Sequence, residues 1–117
     1  MGQSTLSSFK AAIHGMRHGL TRHRNAKIML FVAAVVIALG FYFHFVRFEW
    51  AVICVCIGLV LGLELLNTAI ETLLDHVHPA QHKAIGLAKD IAAGAVLWAS
   101  ICAALAGIFI FWPHIMY

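Results

Sequence analysis

Three long apolar runs limit what this chain can fold into. Residues 28–46 are interrupted only by His44, residues 50–63 are uniformly apolar, and residues 91–112 hold a single hydroxyl at Ser100. A helix crossing a bilayer takes about 20 predominantly apolar residues. A chain of 117 residues therefore has room for three or four such helices, in one domain, and little else. Charged residues make up 11% of the chain, against about 25% in soluble domains. That scarcity argues against a water-soluble globule, a disordered tail and a nucleic-acid-binding module. The fold class is all-α integral membrane.

The first 27 residues differ from the rest. They carry Lys10, Arg17, Arg22, Arg24 and Lys27, five of the eight basic side chains, and no acid. Leu6, Phe9, Ile13, Met16 and Leu20 recur at helical spacing, with Lys10, His14 and Arg17 on other faces. Ser4 or Thr5 is placed to cap the start. Residues 4–27 thus read as a basic amphipathic helix lying in the membrane interface beside anionic head groups. A secretory signal would need its apolar core and a small-residue cleavage site there, and the apolar run begins only at Ile28.

Spans are expected at 28–46, 50–75 and 89–112. Arg47-Phe48-Glu49 forms a short turn, Trp50 an interface anchor, and residues 76–89, with Pro79 and Gly86, the one polar loop. Most Lys and Arg precede the first span or lie in that loop, which places the N-terminus and the loop in the cytoplasm and the C-terminus outside. Cys54, Cys56 and Cys102 sit inside apolar runs without zinc-like spacing and read as small buried residues. Eight histidines include His14 and His18 one turn apart, and His76, His78 and His82 around the loop. No familiar zinc pattern connects them, so they read as interfacial side chains.

The second span carries the chemistry. Glu71 and Asp75 each lie within about 20° of Glu64 around a helix, with Asn67 and Thr68 flanking the line. Glu64 would lie roughly 21 Å along the helix from Trp50, where insertion of an ionisable group costs at least about 2.5 kcal/mol. Adhesion between helices would be served more cheaply by Asn or Ser, so Glu64 points to function, with a general base as its role. Glu71, shallower by about 10 Å, could hold a divalent cation. Lys89 and Asp90 open the third span on the same side, where Lys89 could offset phosphate charge and Asp90 could orient it. For Asp75, gluing helices together is an equally good reading.

The run Glu64-Leu-Leu-Asn67-Thr-Ala-Ile-Glu71-Thr-Leu-Leu-Asp75 is followed, after 13 residues, by Lys89-Asp90-Ile-Ala-Ala-Gly-Ala-Val. This resembles the signature of the prokaryotic diacylglycerol kinase family, small three-span lipid kinases that include undecaprenol kinases. The likeness runs from Phe9-Lys10 to Pro113, and Phe9-Lys10, Gly40-Phe41 and Glu49-Trp50 are closer to the undecaprenol branch. The resemblance implies ATP-dependent phosphorylation of a membrane lipid alcohol, Mg2+ accompanying ATP, a homotrimer with sites shared between subunits, and a bacterial plasma membrane. It implies Glu64 as catalytic base, Glu71 as metal ligand, and Glu71, Asn67, His82, Lys89 and Asp90 at the nucleotide. Lipid contacts are implied for Glu64, Trp50 and Ala93. Gly58 and Gly62 form a GxxxG that permits close helix approach.

The chain departs from the family pattern before the first span, where His23 stands at a position expected to hold a metal-binding Glu, and Lys27 replaces an Arg. Hard magnesium prefers oxygen to imidazole. Ala80 and Gln81 replace an acid and a Tyr ahead of His82. Three functions stay open: an undecaprenol kinase first, a diacylglycerol kinase second, and a non-catalytic lipid-binding or scaffold member. Ion conduction through the intramembrane carboxylates is disfavoured, because no polar path continues through the other spans.

Overall fold

The computed structural model describes residues 4–77 and 83–117. Its elements are four helices: α1 (Thr5–Thr21), α2 (Arg24–Tyr42), α3 (Arg47–Val77) and α4 (Lys83–Met116). The last three are long and apolar enough to cross a membrane. Together the helices form a slab with extents of 54 × 39 × 20 Å. His82, together with His78, Pro79, Ala80 and Gln81, lies outside the described residues.

α1 starts where a hydroxyl can satisfy an orphan amide: Ser4 Oγ accepts from the Ser7 N–H at 3.1 Å. The first half of its apolar stripe turns away from the other helices, with Leu6 and Phe9 more than 60% exposed. That geometry suits a helix lying on lipid. The helix crosses α3 at Gly19, which is buried; a Cβ there would come within 2.5 Å of Leu65 Cδ2. α1 stops at Thr21, and Arg24 to Lys27, expected as its last turn, begin α2 instead.

The turn between α2 and α3 falls at 43–46, four residues earlier than the expected Arg47-Phe48-Glu49, which is the first turn of α3. His44 takes a left-handed conformation at φ 56°. The Phe45 N–H bonds Gly40 O at 2.9 Å and the His44 N–H bonds Phe41 O at 3.3 Å, the two bonds of a Schellman cap. Glu49 then caps α3, accepting from the Val46 N–H through Oε1 at 2.9 Å. Its other oxygen lies 2.7 Å from His114 Nε2, tying the end of α4 to the start of α3. Phe43 and Phe45 pack against the His114 ring at 5.6 and 5.1 Å. The turn is apolar because its side chains build this aromatic clasp, so composition hid it inside a hydrophobic run.

α4 begins at Lys83, six residues before the expected 89, and continues through Pro113 rather than ending there. A proline so near a helix end removes one backbone donor and still permits a last turn, closed by Tyr117 N–H to Pro113 O at 3.0 Å. α3 and α4 form the main packed pair. Between them and α2 lies an apolar cavity of about 350 Å³, lined by Val36, Ile53, Ile57 and Ala103 among others. Within the chain nothing comes within 4 Å of a Cβ built at Gly58 or Gly62. Any close helix approach at that pair is therefore not made by one copy alone.

Candidate active site

α3 is a continuous helix through Glu64, Asn67 and Glu71, so the polar stripe is set by helical geometry alone. Glu64 is 5% exposed and Asn67 9%, the two buried polar side chains among the described residues. Asn67 Nδ2 donates to Glu71 Oε1 at 3.0 Å, one turn along the helix. This bond holds one carboxylate oxygen of Glu71 and leaves the other available. Asn67 Oδ1 is buried and has no hydrogen-bond partner in the chain. Buried carbonyl oxygens are rarely left unpaired, and such an orphan calls for an ion or another ligand.

The ionisable groups that act electrostatically on Glu64 are Glu71 and His23. His23 stands at the N-cap of α2 with extended backbone (φ −112°, ψ 140°), and its imidazole makes no capping bond. Its carbonyl receives the Lys27 N–H at 3.1 Å. The α1–α2 break thus leaves His23 within electrostatic range of Glu64, with no capping bond from its ring.

On the neighbouring helix, Lys89 is ion-paired with Asp75. The pair joins α3 to α4 at the end where the carboxylate stripe finishes, with Asp75 63% exposed. Spacing on one helix could not reveal it; the only sequence signal was two opposite charges flanking a loop. Asp90 is exposed next to it and Ala93 follows one turn later on α4, also exposed. Trp50 is at the other end of α3, packed on Phe41 and Phe45 at 4.8 and 5.6 Å. It stands about 21 Å along the helix from Glu64, too far to share contacts with Glu64 itself.

These donors fit a hard divalent cation in kind: a carboxylate oxygen of Glu71 and the orphan amide oxygen of Asn67, with a nitrogen at His23 as the exception. Among the described residues no three His, Cys, Asp or Glu side chains converge closely enough to hold an ion by themselves. A cation here needs oxygens from elsewhere, as it does when most of its ligands are phosphates and water.

Comparison with known proteins follows the same lines. The chain is 39% identical over 103 residues to a diacylglycerol kinase of Synechocystis, an alignment covering 87% of this chain and 59% of that protein. It is 34% identical over 110 residues to an undecaprenol kinase of Bacillus subtilis, covering 92% and 89%. A diacylglycerol kinase of Haemophilus influenzae is 29% identical over 112 residues, covering 96% and 91%. The matched stretch is thus little more than half of the Synechocystis protein and nearly all of the other two. Residues 10–111 match the family described as prokaryotic diacylglycerol kinase, a group of lipid kinases by name, and the chain belongs to that family.

Proposed function

We propose that this protein transfers the γ-phosphate of ATP to the hydroxyl of a membrane lipid, with undecaprenol as the preferred acceptor and diacylglycerol the second. The observation that carries the reading is the buried Glu64 beside the Asn67–Glu71 pair on an otherwise apolar helix. A carboxylate is costly there, and a lipid hydroxyl is one of the few proton donors able to reach it. The undecaprenol kinase of Bacillus subtilis aligns over nearly its whole length. Phe9-Lys10, Gly40-Phe41 and Glu49-Trp50 favour the same branch.

In this reading Glu64 accepts the hydroxyl proton while the lipid oxygen attacks the γ-phosphorus in line. The new O–P bond forms as the bond to the β-phosphate oxygen breaks, and ADP leaves with that electron pair. Lys89, released from Asp75, offsets charge on the phosphates, and Asp90 orients it. A divalent cation, Mg2+ in the simplest case, supplies phosphate neutralisation when bound with ATP; Glu71 and Asn67 would hold it, with His23 as a nitrogen donor. His82 is proposed to reach the nucleotide from the loop. Ala93, and Trp50 at the far end of α3, are proposed to line the lipid chain.

The working unit is proposed to be a homotrimer in the bacterial plasma membrane, with N-terminus and site cytoplasmic and C-terminus outside. Support comes from the exposed apolar faces of α3 and α4, the open Gly58–Gly62 face and the incomplete metal donor set of one chain.

The test is phosphate transfer from radiolabelled ATP to undecaprenol and to diacylglycerol, assayed side by side with purified protein. Undecaprenol should be labelled faster, and Glu64→Gln should remove turnover of both while the oligomer survives. Faster labelling of diacylglycerol would reverse the substrate order. Transfer to neither lipid, restored by His23→Glu, would favour a lipid-binding or scaffold role.

A further inference from the structure

A second cleft, of about 800 Å³, opens between α1 and α3 on the near side of their crossing. Three imidazoles line it: His14 and His18 from α1 and His76 from α3. No Asp or Glu lines it among the described residues. The lining face of α3, which includes Leu65, Thr68, Thr72 and His76, lies about 100° around the helix from the Glu64–Glu71–Asp75 line. The cleft is therefore a neighbour of the candidate active site, separated from its carboxylates by the curve of one helix.

The polar groups are donors, or acceptors already partly engaged. The Thr72 hydroxyl donates to Thr68 O at 2.8 Å. Each imidazole offers at least one N–H whether neutral or charged. His14 and His18 stand one turn apart with ring centroids 6.4 Å from each other, so both can address one tetrahedral oxyanion. The rest of the lining is apolar, including Leu65, Leu73 and Met16. Donors at the rim of an apolar trough match a ligand with an anionic head and a hydrocarbon body.

We propose that this cleft seats the phosphate monoester headgroup of an anionic lipid. His14, His18 and His76 donate to the phosphate oxygens, and the lipid chain lies along the apolar face of α3. The proposal draws on the kinase reading only for the origin of the ligand: a phosphorylated lipid leaving Glu64 would meet these donors on its way to the bilayer.

The test needs no turnover, so its failure and that of the kinase reading are distinguishable. Protein in phosphatidylcholine nanodiscs is titrated with dioleoyl phosphatidic acid, a phosphate monoester lipid, and the amide resonances of Gly15 and Gly19 are followed. The expected result is a saturable shift whose half-saturating mole fraction rises at least tenfold in H14L/H18L/H76L, which removes all three N–H donors. The single variant H14L should give an intermediate rise. All three histidines are exposed, and helix content and the rest of the amide spectrum check that the variants keep the fold. An unchanged titration in the triple variant would overturn the proposal. Saturation of the same shifts by inorganic phosphate alone, at equal concentration, would overturn its lipid source and leave a free-anion site.

Discussion

Asn67→Leu separates a functional asparagine from one that only holds helices together. The side chain makes one hydrogen bond, Nδ2 to Glu71 Oε1 at 3.0 Å, and buries an unpaired Oδ1. Losing a hydrogen bond to an ionised acceptor costs about 1.5–3 kcal/mol, and removing a buried unsatisfied oxygen returns about 1–3 kcal/mol. The two nearly cancel, because Leu keeps the branched shape of Asn and Glu71, only half-buried, can turn toward water or head groups. The expected stability change is within about 1 kcal/mol. The site should respond differently. Glu71 loses the donor that orients it and the cation loses the Asn67 oxygen; losing the orienting partner alone typically weakens a metal site about 10–100-fold. The cation concentration giving half-maximal ATP turnover should rise by at least that factor, about 1.4–2.7 kcal/mol. At saturating cation the maximal rate should recover to within a few-fold of wild type. Denaturant unfolding in detergent and a cation titration of turnover measure the two quantities on one sample. A loss of 2 kcal/mol or more in stability with an unchanged cation requirement would refute the reasoning and make Asn67 a packing residue.

Other outcomes follow from the same contacts. Gly40→Ala puts a Cβ 2.7 Å from Trp50 Cη2 and 2.9 Å from Phe45 Cδ2. Both rings are hemmed in by aromatic neighbours, so overpacking should outweigh the helix-propensity gain and cost about 1–2 kcal/mol in unfolding free energy. Gly58→Ala, where nothing lies within 4 Å, should stabilise the isolated chain by up to about 1 kcal/mol; a loss of oligomer on size-exclusion chromatography would show that a second copy packs there. His44→Gly relieves the left-handed residue at φ 56° and should add about 1 kcal/mol. If it destabilises instead, the imidazole makes a contact worth more than the backbone strain.

By itself, the sequence determined what depends on one helix at a time. Glu64, Asn67 and Glu71 share a face because the helical period requires it, and their scarcity in an apolar run marked them for function. The exposed apolar stripe of α1 follows from the same period, and three helices long enough to span follow from apolar length. Local capping was partly legible as well: Ser4 fills the role its residue type suggests. Tertiary structure decided whatever needs two helices or a departure from helical backbone. The 43–46 turn was hidden because a turn normally advertises itself through Gly, Pro or polar residues, and this one is built from Phe43, His44 and Phe45 packed on His114. Glu49 looked like a loop residue and is both the cap of α3 and the partner of His114. The Asp75–Lys89 pair, the approach of His23 to Glu64 and the three-histidine cleft depend on how α1, α2 and α4 are rotated and crossed against α3. Rotation and crossing are set by side-chain packing between helices, as at Gly19 against Leu65. Hydrophobic periodicity fixes which side of a helix is buried, and packing alone fixes what that side meets.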